Sequence, residues 1–162
     1  MKYILNPRLN STEPFLLIKD EMGDVCYQIA IPKVAIGEKF YFEDANGNKL
    51  FKLKRKLLHV NNTFIIERAN EYYGRVKKHV CDSLTEHFDI DTPYGELIAK
   101  GDFDDYDFAF YYEDNNIAAK VSKGNCSREE NYIVDVIDFN DEGFILACAV
   151  IIDIIVHLEE DL

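Results

Sequence analysis

The sequence predicts a mostly-β protein, an antiparallel barrel or sandwich wrapped around a hydrophobic C-terminal helix. Three observations carry this expectation. From residue 3 to residue 138, short runs rich in Val, Ile, Phe and Tyr are broken at fairly regular intervals by Gly, Asn and Asp, the pattern of antiparallel strands and their turns. One run recurs: Phe15-Leu-Leu-Ile-Lys-Asp-Glu-Met-Gly23 is echoed by Phe40-Tyr-Phe-Glu-Asp-Ala-Asn-Gly47, and more loosely by Phe64-Ile-Ile-Glu-Arg-Ala-Asn-Glu-Tyr-Tyr-Gly74. Finally, residues 144–158 are apolar on nearly every side of a would-be helix, and such a helix must be enclosed.

Taken in order, the predicted strands cover residues 3–9, 15–19, 25–31, 39–43, 49–57, 63–68, 74–80, 84–91, 96–101, 106–113, 117–122 and 132–137. Phe15, Phe40 and Phe64 are spaced 25 and 24 apart, so the repeating unit is about two strands long, and 108–116 reads as a degenerate fourth copy. Each copy runs into a turn where Asp or Asn tolerates left-handed geometry and Gly supplies positive φ. Alternation sorts the faces. In 49–57, Phe51, Leu53 and Leu57 fall on one side and Lys52, Lys54 and Lys56 on the other. The same period turns Val76 and Val80 inward and Arg75, Lys77 and His79 outward, with Arg55 and Lys78 breaking the pattern near strand ends.

The helix is expected over 141–158. Asn140, Asp141 and Glu142 supply caps and first-turn acids that suit the positive end of the helix dipole. At 1.5 Å per residue, 144–156 reaches about 20 Å, short of the ~30 Å core of a bilayer. No membrane span is therefore expected, and the segment reads as a plug surrounded by β-structure.

A length of 162 residues with 48% apolar and 13% aromatic residues suits one domain with a real core. A net charge of −12 argues against duplex nucleic acid, whose phosphates demand cations. The charge is unevenly spread: residues 1–80 carry 14 Lys/Arg against 9 Asp/Glu, and residues 81–162 carry 4 against 21. Cys26, Cys81, Cys126 and Cys148 lie 55, 45 and 22 apart, which reads as reduced, mostly buried thiols instead of a close-spaced metal or redox pair. In Met-Lys-Tyr-Ile-Leu-Asn-Pro-Arg the apolar run stops at Asn6 and Pro7, too short for a signal-peptide core, so a cytoplasmic protein is expected.

Hairpin repeats of the form Phe-x-Ile-x-Asp-x-x-Gly, followed by an apolar helix carrying Ile152-Asp153, resemble the LURP-one-related family over about residues 3–158. Within it the chain looks most like the small bacterial members. That family belongs with the tubby C-terminal domain and the phospholipid scramblases. The resemblance implies a closed barrel of about twelve strands around a central hydrophobic helix. For function it implies less: tubby barrels bind phosphoinositide headgroups through basic wall residues, scramblases are associated with lipid translocation and calcium, and fold alone does not decide between such roles.

Four groups of residues could carry chemistry. The first is a basic ribbon of Lys52, Lys54, Lys56, Arg75 and Lys77, whose natural ligand is phosphate or anionic lipid; a merely solvated wall is the competing explanation. The second is Asp138, Asn140 and Glu142 with Gly143 in sixth place, which imitates the opening of a calcium loop and matches an acidic segment of scramblases. Its twelfth position is Ala149 instead of Glu, and helix capping explains it better. The third, Asp102-Phe-Asp-Asp-Tyr-Asp107, reads as an exposed acidic loop. The fourth, Asp153 and His157, lies on one helical face and reads as a buried acid held by barrel groups. His59, His79 and His87 fall on different predicted strands or loops. The expected protein is thus a non-enzymatic, cofactor-free binding module for anionic headgroups or phosphorylated ligands, peripheral at the membrane, or else a protein-interaction domain without lipid binding.

Overall fold

The computed structural model describes residues 1–7, 16–30, 39–56, 63–80, 86–124 and 131–158. These form β1 (Lys2–Pro7), β2 (Leu16–Asp20), β3 (Val25–Ala30), β4 (Lys39–Asp44), β5 (Lys49–Arg55), β6 (Thr63–Arg68), β7 (Glu71–Val80), β8 (Glu86–Thr92), β9 (Gly95–Asp102), β10 (Asp107–Tyr112), β11 (Ile117–Ser122) and β12 (Tyr132–Val136). A helix, α1 (Glu142–Asp153), follows, and the next turn, Ile154–Leu158, is π-helical. Each strand pairs antiparallel with its sequence neighbours, and β1 pairs with β12, so the meander closes into a barrel. The register at the closure is Lys2 opposite Asp135 and Leu5 opposite Tyr132, and the Met1 amine donates to the Val136 carbonyl at 2.8 Å. Closure leaves no edge open among the described strands to pair with another chain.

The turns follow the repeat. Asp20 accepts from the Met22 and Asp24 amides at 2.9 and 3.0 Å, and Asp44 from those of Asn46 and Asn48 at 2.9 Å each, before glycines at φ +89° and +85°. The third copy differs. Ala69 and Asn70, at φ +52° and +64°, make a two-residue turn, so β7 begins at Glu71, earlier than the predicted 74. Phe15, Leu57 and the loop ends of several predicted strands lie outside the described residues, as do Cys81, Cys126 and His59.

Alternation places Phe42, Phe51, Leu53, Phe64, Ile66, Val76, Phe88, Ile90 and Phe110 inside the barrel, around α1. Residues 144–151 of the helix are 0% exposed. Its N-terminus is fixed from the wall: Asp141 accepts from the Phe144 amide at 3.1 Å and from the Tyr73 hydroxyl at 2.8 Å, while the Tyr3 hydroxyl donates to Glu142. Burial, with the Tyr94 and Asp141 hydrogen bonds, pushes the Tyr73 hydroxyl up to about 12. Among the described residues no helix is long and apolar enough to cross a membrane.

Two details differ from expectation. The helix is α-helical only to Asp153, after which its last turn holds more residues, in π-helical form. Tyr106, predicted to open a strand, adopts φ +52° in a turn and packs its ring between Tyr132 and His157, at centroid distances of 4.6 and 4.7 Å.

Candidate functional site

The predicted basic ribbon lies on the outer faces of β5 and β7, with β6 between them. Lys54 is opposite Lys39 of β4 on one side and Ile65 of β6 on the other; Ile65 is opposite Arg75, and Arg75 opposite Asp91. Lys52 is flanked by Tyr41 and Glu67, and Lys77 is opposite Asp89. Lys56 stands exposed just past the end of β5. At ~4.8 Å per strand, Lys54 and Arg75 occupy one row about 10 Å apart.

The ribbon is partly neutralised. The Lys54 ammonium lies 3.5 Å from Glu67, and the Arg75 guanidinium 2.8 Å from Asp91. Among the described residues, Lys39, Lys52 and Lys77 have no ion-pair partner. Lys39 was not singled out in the sequence, although the alternation of Lys39, Tyr41 and Glu43 against Phe40 and Phe42 marks it as outward. Its position opposite Lys54 puts like charges face to face, an arrangement that destabilises a sheet. Arg55 and Lys78 fall in the inward register, opposite Phe64 and Phe88, at one mouth of the barrel, and Lys78 pairs with Glu86 at 3.6 Å.

A second basic cluster appears only once the barrel closes. Lys2, Lys100 and Lys120 line a hollow of about 580 Å³ on the outer wall, together with Tyr111, Asp107 and Asp135. The short side chain of Ala109 fills little of it. Lys100 and Lys120 flank Ala109 from the two adjacent strands.

The segment resembling a calcium loop is used by the fold. Glu142 takes the Tyr3 hydroxyl, the Asp138 carbonyl accepts from Tyr112 at 2.6 Å, and Asn140 is exposed. In the acidic loop, Asp102 accepts from the Asp105 amide at 3.1 Å, while Phe103 turns inward onto Phe88 and Phe108. His79 and His87, which looked unrelated in the sequence, meet as a cross-strand pair beside Asp89.

Asp153 is largely buried, accepts from the Tyr106 hydroxyl at 2.7 Å and lies 3.9 Å from His157. Burial pushes its carboxyl above the ordinary 3.8, against the lowering influence of Tyr106 and His157. A carboxyl raised in the folded state favours folding below its ordinary value, and that contribution is lost as the pH rises through the raised one. Asp153→Asn, which still accepts from Tyr106, is expected to raise the denaturation midpoint at pH 7 and to leave it unchanged near pH 4. Equal destabilisation at both pH values would contradict this.

These features define a class first: a closed antiparallel barrel wound round a buried helix, with most of its charged side chains on the outer wall. The chain belongs to the LURP-one-related family, whose model matches residues 3–153. A crystal structure of a protein from Arabidopsis thaliana has a similar fold, with a TM-score of 0.70 at 14% identity over 95% of this chain and 90% of that one. No curated protein matches the chain.

Proposed function

We propose that the chain is a one-domain, non-enzymatic binding module that recognises anionic headgroups through its outer wall, at the membrane surface of the cytoplasm. The observation that carries this reading is the Lys39–Lys54 pair, held face to face with Lys52, Lys56 and Lys77 around it although the chain as a whole bears −12. A bound phosphate or a sheet of anionic lipid removes that repulsion, and a surface carrying several lysines gains on the order of 1 kcal/mol for each near such a membrane. Arg75, already paired with Asp91, contributes by exchanging partners.

The expected result is co-sedimentation with vesicles containing phosphatidylserine, weakening as salt rises and lost in the triple variant Lys52→Glu/Lys54→Glu/Arg75→Glu. Identical sedimentation of wild type and variant would exclude the ribbon. The hollow supports a second reading, because it is concave and its lining has three cations, Lys2, Lys100 and Lys120, against two carboxylates, Asp107 and Asp135: a small phosphorylated ligand held there. Binding abolished by Lys100→Glu/Lys120→Glu, with the triple variant unaffected, would favour it. No binding in either arm would leave the protein-interaction reading.

A further inference from the structure

The geometry points to a transition-metal site on the outer wall, formed by His79 of β7 with His87 and Asp89 of β8 and suited to Zn²⁺. It does not depend on the anion-binding reading, since none of the three is a cation of the ribbon. His79 and His87 are directly opposite each other, and Asp89 is two residues further along the same face. The two imidazole rings are stacked, with centroids 5.0 Å apart and planes 8° apart. Both turn Nε2 toward one carboxylate, and each meets a different oxygen: His79 lies 3.1 Å from Oδ2 and His87 3.6 Å from Oδ1. The three ligand atoms all lie within 4.8 Å of one another.

Those separations suit a shared ion. Ligands held ~2.0–2.1 Å from a tetrahedral metal sit about 3.3–3.4 Å from one another. The two histidine–carboxylate edges bracket that value, and rotation about exposed side-chain bonds closes the third. The backbone beneath is rigid, because the intervening Phe88 is fully buried and β7 and β8 are paired throughout Arg75–Val80.

Two nitrogens and one oxygen are a poor set for Ca²⁺ or Mg²⁺, which take oxygen ligands, and a good one for Zn²⁺. The side chains are 44%, 28% and 39% exposed, so a fourth position faces solvent and can hold water or an outside ligand. Around the group, Lys77 lies opposite Asp89 on β7 and Ile98 opposite it on β9, while Lys78 and Glu86 pair in the other face's register. Lys77, directly opposite on β7, is a charge that competes for the carboxylate.

The test is a Zn²⁺ titration of the full chain against a chromophoric chelator, paired with the absorption spectrum of the Co²⁺ form. One ion per chain is expected, with visible Co²⁺ bands of nitrogen and oxygen ligation and without thiolate charge transfer. His79→Ala and His87→Ala should each weaken binding at least about tenfold, since even outer-shell partners of a metal contribute 10–100-fold. Cys26→Ser, which removes the half-buried thiol, should change nothing. His87→Gln, a milder change on an exposed ring, guards against misfolding, and metal-free melting curves matching wild type show that the fold is retained. The proposal is overturned if both alanine variants bind like wild type, if Cys26→Ser abolishes the site, or if saturation requires millimolar Zn²⁺.

Discussion

A chain cut after Gly143 is expected to show no cooperative melting transition and to aggregate or expose apolar surface. The cut removes nine large apolar side chains that the barrel encloses: Phe144, Ile145, Leu146, Val150, Ile151, Ile152, Ile154, Ile155 and Val156. At ~1.5–3 kcal/mol each, their burial is worth roughly 14–27 kcal/mol gross, comparable to or more than the ~5–15 kcal/mol net stability of an ordinary domain. The strands left behind would surround a void that their side chains cannot fill. Circular dichroism melts with a dye for exposed apolar surface check this, and a monomeric truncation that melts sharply would mean the strands need no filling. Ala149→Asp, which leaves the length intact and places a carboxylate at a fully buried position, should act in the same direction.

Gly74→Ala should lower stability by about 2–3 kcal/mol and the melting temperature by roughly 5–10 °C. The reason is space. A Cβ at Gly74 would lie 2.6 Å from the Asp91 carbonyl oxygen and 2.7 Å from two carbons of the Phe144 ring. Neither neighbour can yield easily: the carbonyl belongs to the β7–β8 ladder, and the ring is set among Tyr73, Phe51 and Phe139 at 5.6–6.2 Å. Gly47→Ala is the comparison, because a Cβ there meets nothing within 4 Å and only φ +85° opposes it. If Gly74→Ala melts no lower than wild type, the packing of Phe144 against β7 is wrong.

Much of the architecture could be read from periodicity. Strand alternation such as Phe51 and Leu53 against Lys52 and Lys54 is enforced by the pleat, and a helix apolar on all sides has few places to go. What escaped was set by tertiary register. The π-helical turn after Asp153 and the inward turn of Tyr106 meet in the Tyr132–Tyr106–His157 stack, which no local pattern announces. The five ribbon residues were found by alternation, but Lys39 became significant only when β4 and β5 were paired, and the partial neutralisation by Glu67 and Asp91 needed the neighbouring strands. Lys2 joins Lys100 and Lys120 solely through closure of the barrel. His79 and His87 met because of a β7–β8 register that the intervening sequence does not declare.

Barrel closure also bears on biogenesis. The helix lies after all twelve strands in the chain, so the ribosome delivers the filling after the container. A nascent chain must therefore hold its paired strands open, with β1 waiting for β12 across the 135-residue separation of Met1 and Val136. Such an intermediate is a natural client for chaperones, and stalling translation just before Phe144 should prolong that association.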